Sequence, residues 1–195
     1  METDMKELEE KILAEGRVFE GDVLKVDNFL NHQIDVELCG KIGKEFHRIF
    51  SDRTVDKILT VEASGIAYAV TTAQQFGNIP VVFAKKGNAK NMDSDRYTAE
   101  AISFTRGGTV TFAVAREYLT AGEHVLIIDD FLATGEAVSA LIEIARQAGA
   151  EIMGCGMVVE KSFQPGRKRI EAQGIEVCSL ACIREMTPQG IVFED

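Results

Sequence analysis

VLIIDDFLATGEA, residues 125–137, joins an apolar run to two consecutive acids, a turn of small residues and the opening of a helix. An uninterrupted apolar run reads as a central parallel strand covered on both faces. Asp129 and Asp130 are expected to end that strand, and ligands of open parallel sheets gather beyond the carboxyl ends of the strands. Adjacent strand residues face opposite sides, so both carboxylates can meet one ligand only if the turn redirects one of them. Ala133, Thr134 and Gly135 are small enough for backbone N–H groups to close around a monoester phosphate at a helix start, with the Thr134 hydroxyl as a further donor. The plain alternative is an ordinary strand-to-helix turn flanked by exposed acids.

Working outward, EAVSALIEIARQAG (136–149) is a helix closed by Gly149, and EIMGCGMVVEKS (151–162) returns as a strand, which completes a βαβ unit. A second unit lies upstream: KILTVEAS (57–64) as a buried strand, GIAYAVTTAQQFG (65–77) as a helix and PVVFAKK (80–86) as a strand. The first strand of this unit also runs into a helix through small residues, Ala63, Ser64 and Gly65, whose amides could approach a pyrophosphate. Before it, Asp35 is predicted to cap a helix with the stripe Leu38, Ile42, Phe46, Ile49 and Phe50, ending near Ser51. Residues 17–19 and 23–26 read as short extended pieces, and Leu8, Ile12 and Leu13 as a first helix stopped by Gly16.

Residues 86–98, KGNAKNMDSDRYT, carry no period and are predicted to be a long loop or hairpin tip between strands. Lys85, Lys86, Lys90 and Arg96 mark its root and length; they are either a solvated tip or cations that close late over a departing anion. AISFT and TVTFAVA flank it as strands, and residues 165–195 hold a short helix, a strand near 175–181 and an acidic tail. The whole predicts one α/β domain over 1–195, with an open, mainly parallel sheet flanked by helices.

A net charge of −10 without a long basic block argues against a nucleic-acid partner, while small polyphosphates stay compatible with amide and cation sites. Cys39, Cys155, Cys178 and Cys182 show no paired spacing and are read as reduced core thiols. The acidic amphipathic start lacks the pattern of a signal peptide, and no apolar run reaches membrane-spanning length, so a cytoplasmic protein away from membranes is expected.

The string 125–137 resembles the phosphoribosyl pyrophosphate (PRPP) signature of the type I phosphoribosyltransferase family. That resemblance implies that Asp129 and Asp130 bind the ribose hydroxyls, and that Ala133, Thr134, Gly135, Glu136 and Ala137 bind the 5′-phosphate. It also implies that Ala63, Ser64 and Gly65 hold the pyrophosphate, often through a strained or cis peptide, and that the lysine-bearing loop closes over the site. In that frame Lys85 is the catalytic cation and Lys86 a PRPP ligand. Hypoxanthine-guanine members carry an Asp where this chain has Ala133, so no general base can be named from the motif.

VLKVDNFLNHQID (23–35) and VVEKSFQPGR (158–167) resemble the base-binding hood of the bacterial xanthine-type members. The hood would span about 17–34 and 161–195 over a core of about 35–160. Leu24 and Asn31 would contact the purine, Lys161 would donate to a ring carbonyl and Phe163 would stack. An ammonium donates and never accepts, which favours a 6-oxo over a 6-amino group. The resemblance further implies Mg²⁺ held mainly by the substrate, xanthine and PRPP as substrates, and a homodimer. Rival readings are a guanine, hypoxanthine or adenine enzyme of the same fold, and a non-catalytic PRPP-binding regulator.

Overall fold

The structure, a computed structural model, describes residues 5–87, 95–102 and 108–194. Its frame is an eight-stranded sheet in the order β10-β9-β8-β7-β3-β4-β6-β5. The parallel centre is β9 (Val177–Thr187), β8 (Glu151–Lys161), β7 (His124–Leu132), β3 (Lys57–Val61) and β4 (Val81–Lys86). One edge is finished by β10 (Gly190–Phe193) and the other by β6 (Thr109–Ala115) and β5 (Arg96–Ile102), all antiparallel to their neighbours.

Helices cover both faces. On one side α1 (Lys6–Glu15), α2 (Val36–Phe50) and α3 (Gly65–Gln75) pack over Ile58, Leu126 and Ile128. The α2 stripe of Leu38, Ile42, Phe46, Ile49 and Phe50 is buried throughout, and Asp35 caps the helix by accepting from the Leu38 N–H at 3.1 Å. Each large side chain buried this way stabilises the fold by about 1.5–3 kcal/mol. On the other side α4 (Glu136–Ala148) packs Val138, Leu141, Ile142 and Ile144 against Leu59, Val125, Ile127 and Met157. Beyond β8, α5 (Gly166–Glu171) leads into β9. The hairpin of β1 (Arg17–Phe19) and β2 (Val23–Lys25) and a π-helical turn at Asp27–Asn31 lie between α1 and α2.

Several boundaries differ from the sequence reading. β7 continues two residues past the acid pair, because Phe131 and Leu132 remain in register with Val159 and Glu160 of β8. Arg96, Tyr97 and Thr98 belong to β5 rather than to the preceding loop, each paired with a residue of β6. Lys90 and part of AISFT lie outside the described residues. The C-terminal stretch is no plain tail: β9 runs on to Thr187 and β10 folds back on it. Leu13 is exposed, so the α1 stripe rests on Leu8 and Ile12. All four cysteines are free, Cys39 and Cys155 buried and the other two half-buried.

Candidate active site

Because β3, β4, β7 and β8 are parallel, their carboxyl ends, Val61, Lys86, Leu132 and Lys161, all meet one edge of the sheet. There a cavity of about 830 Å³ is walled by residues 133–138, Lys86, Gly87, Phe131, Lys161, Gln164, the 21–23 turn and the facing parts of β5 and β6. Polar groups converge on a half-apolar cleft, the arrangement small-ligand sites favour.

Ala133, Thr134 and Gly135 form the turn that opens α4. Gly135 sits in the left-handed region at φ 78° and, as the N-cap, offers the helix start no side-chain acceptor. A Cβ at Gly135 would approach Gly166 Cα to 3.1 Å, and Gly166 donates its N–H to the Ala133 carbonyl at 3.0 Å. The turn is thereby clamped to the start of α5. Glu136 and Ala137 complete this wall.

The acids lie beneath the cavity and do not form its wall. Asp129 is 4% and Asp130 9% exposed. Strand parity starts them on opposite sides: Val125 and Ile127, of Asp129 parity, pack in the α4 layer, while Leu126 and Ile128, of Asp130 parity, pack in the opposite layer. Burial, with the Asp130 charge beside it, pushes the Asp129 carboxyl well above the usual carboxylate range, and Lys86 opposes that rise. Asp129 Oδ1 accepts the Asp130 N–H at 3.0 Å. The same oxygen explains Gly65, where a Cβ would lie 2.5 Å from it and 2.3 Å from Thr60 Oγ1.

Ala63, Ser64 and Gly65 stand where β3 passes into α3, and the Glu62–Ala63 peptide is cis. Glu62 ties this turn to the end of β4 by accepting the Lys86 N–H at 2.6 Å. The two lysines of β4 part company through strand alternation. Lys86 lines the main cavity, whereas Lys85 lines a separate one with Lys57, Phe83 and Tyr118.

Of the residues read as purine contacts, Lys161 lines the cavity; Leu24, Asn31 and Phe163 do not. Leu24 is buried, Asn31 is exposed at the end of the π-helical turn, and Phe163 is 42% exposed. Tyr68 of α3 holds that turn, its hydroxyl donating to the Leu30 carbonyl at 2.5 Å. Lys161 donates to the Asp22 carbonyl at 2.6 Å and lies 5.8 Å from the Phe131 ring centroid. Burial pushes its ammonium below the ordinary lysine value. Phe131, Asp22 and Gln164 escaped the sequence reading; Phe131 stood inside the quoted string, but nothing in the string says which face it takes.

Among the described residues, no three or more His, Cys, Asp or Glu side chains gather as a metal site. No described helix is long and apolar enough to cross a membrane.

Residues 25–180, which span most of the parallel sheet and the turns at its strand ends, match the phosphoribosyl transferase domain. The chain belongs to that family. It is 52% identical over 189 residues to the xanthine phosphoribosyltransferase of Laribacter hongkongensis, covering 97% of this chain and 100% of that protein. It is 50% identical over 191 residues to the protein of the same name from Clostridium novyi, covering 98% and 100%. Among solved structures, an adenine phosphoribosyltransferase from Giardia lamblia complexed with 9-deazaadenine aligns with TM-score 0.76 at 19% identity, over 91% of this chain and 98% of that one. One from Rhodothermus marinus gives 0.75 at 22%, over 92% and 100%. These two likenesses carry the fold.

Proposed function

We propose that this chain is a pentosyltransferase of purine salvage that moves the 5-phosphoribosyl group of PRPP to N9 of xanthine, giving XMP and pyrophosphate. The observation that carries the reading is the single cavity in which the phosphate-type turn 133–137 meets Lys161 and Phe131. The names of relatives at about 50% identity over nearly the whole chain support the choice of base.

In this reading Thr134 and the amides of residues 133–137 take the 5′-phosphate, and Asp129 and Asp130 hold the ribose hydroxyls. Ala63, Ser64 and Gly65 take the pyrophosphate, with Lys86 as its neutralising cation. Lys85, on the other side of β4, would reach a pyrophosphate only by a change of position or from a second copy. The base lies against Phe131 with a Lys161 donor on a ring carbonyl, and Leu24, Asn31 and Phe163, outside the cavity wall, would reach it only by a change of position. The C1–O bond to pyrophosphate lengthens as N9 approaches from the opposite face, and the new C1–N9 bond closes as pyrophosphate leaves, the imidazole proton of the base passing to solvent. Orientation and charge neutralisation carry such a step without a protein nucleophile.

Mg²⁺ would be held mainly by the substrate: it favours oxygen ligands and keeps few protein contacts, and the phosphate and ribose oxygens of PRPP would carry it. Bound, it neutralises charge on the departing pyrophosphate. The protein acts in the cytoplasm as a homodimer of single-domain subunits, each with a base hood at about 17–34 and 161–195 over a core at about 35–160.

The test is pyrophosphate release from PRPP and Mg²⁺ with xanthine, guanine, hypoxanthine or adenine. Release is fastest with xanthine. Release with adenine alone would reassign the base site, and release with none would make the chain a PRPP-binding regulator.

A further inference from the structure

Glu136 is an unexpected residue for a phosphate turn. It is the first residue of α4, in the same turn as the amides that the proposed function gives to the 5′-phosphate. Left free and ionised, it would compete for those donors and repel the phosphate. The structure turns it elsewhere. Arg169 of α5 donates from Nη1 to Glu136 Oε1, and the Ile102 N–H reaches Oε2 at 3.5 Å. Only 19% of the Glu136 side chain is exposed, so the pair is shielded from full solvent screening.

Arg169 is set in place by the contact between turn and helix. Gly166 bonds the Ala133 carbonyl, Arg169 donates its own N–H to the Pro165 carbonyl at 3.0 Å, and its Cδ lies 3.5 Å from where a Gly135 Cβ would stand. Arg167 cannot do the same work, because its guanidinium is held by Glu160 and Glu171.

We propose that Arg169 is a positioning residue for the phosphoribosyl donor: it draws the Glu136 carboxylate away from the start of α4 and leaves the amides there to the 5′-phosphate. This rests on the reading of turn 133–137 as the phosphate site.

The experiment is steady-state kinetics of the full chain with PRPP varied at saturating xanthine and Mg²⁺. Arg169→Gln raises the KM for PRPP about five- to tenfold, the scale of one charge at a helix N-terminus. The KM for xanthine and kcat stay near wild type. Adding Glu136→Gln to Arg169→Gln brings the KM for PRPP back down, and Arg169→Lys lies between. A double variant as impaired as Arg169→Gln would mean that the arginine acts by packing, and the proposal fails. It also fails if Arg169→Gln leaves the KM unchanged while Thr134→Val raises it, with the phosphate reading intact. If neither variant moves it, the phosphate reading fails as well.

Discussion

Asp129 shows how a buried acid can oppose folding. Its carboxyl is held well above the usual range by burial, so between the unfolded value near 3.8 and the folded one the native state keeps a proton that the unfolded chain releases. Stability linked to this group is therefore full below the unfolded value and is lost as pH rises through the folded one. Asp129→Asn keeps the shape and the acceptor for the Asp130 amide while removing that loss. The melting temperature of the variant should exceed that of wild type by a margin that grows from pH 4 to pH 8, with turnover largely abolished. A variant less stable than wild type at pH 8 would show that the ionised acid is not a burden to the fold. Lys161 makes a second case at this scale. Its ammonium loses its proton below the ordinary lysine value, so the KM for xanthine should climb in alkaline buffer before a free lysine would titrate. Lys161→Met should flatten that climb and narrow the preference for oxo over amino purines, both read in base-competition kinetics. The type of each residue was legible in the chain. Its burial was not, since neither the 4% exposure of Asp129 nor the Asp22 carbonyl held by Lys161 leaves a mark in local sequence.

Among the elements, the join from β8 to α5 links Lys161 to the turn that opens α4. Glu160, 1% exposed, accepts from Arg167 Nε at 2.8 Å and Nη2 at 2.5 Å and from the Ser179 hydroxyl at 2.5 Å. Lys161 follows Glu160 directly, and Gly166, on the Ala133 carbonyl, precedes Arg167. Arg167→Met leaves a buried carboxylate without its cation and should cost about 3 kcal/mol, measured by denaturant unfolding. Glu160→Gln combined with Arg167→Met should regain much of that loss; an undiminished deficit would point to the arginine stem rather than the charge. Elements with a strong period were readable from the chain: the α2 stripe, the Asp35 cap and both βαβ units fall where the residues say. The end of β7 was not readable, because backbone pairing with β8 carries the strand through Phe131 and Leu132 whatever the polarity of the two acids before them. The parting of Lys85 from Lys86 needed the register against Ala113 and Phe112.

For the whole molecule, the parallel centre was legible from two strand-helix-strand rhythms, but strand order was not. The antiparallel edge of β6 and β5 brings residues 101–102 and 109–112 to the turn at 133–137, and the β1–β2 turn brings Asp22 to Lys161. The second approach joins residues 139 positions apart, and only the folded chain creates either. The most direct measurement of the claim that this cleft builds a purine nucleotide is a crystal structure with XMP bound. The phosphate should lie within hydrogen-bond distance of the amides of residues 133–137, the ribose hydroxyls toward Asp129 and Asp130, and the base over Phe131 with a carbonyl on Lys161. XMP lodged at another surface, with the turn at residues 133–137 untouched, would contradict it.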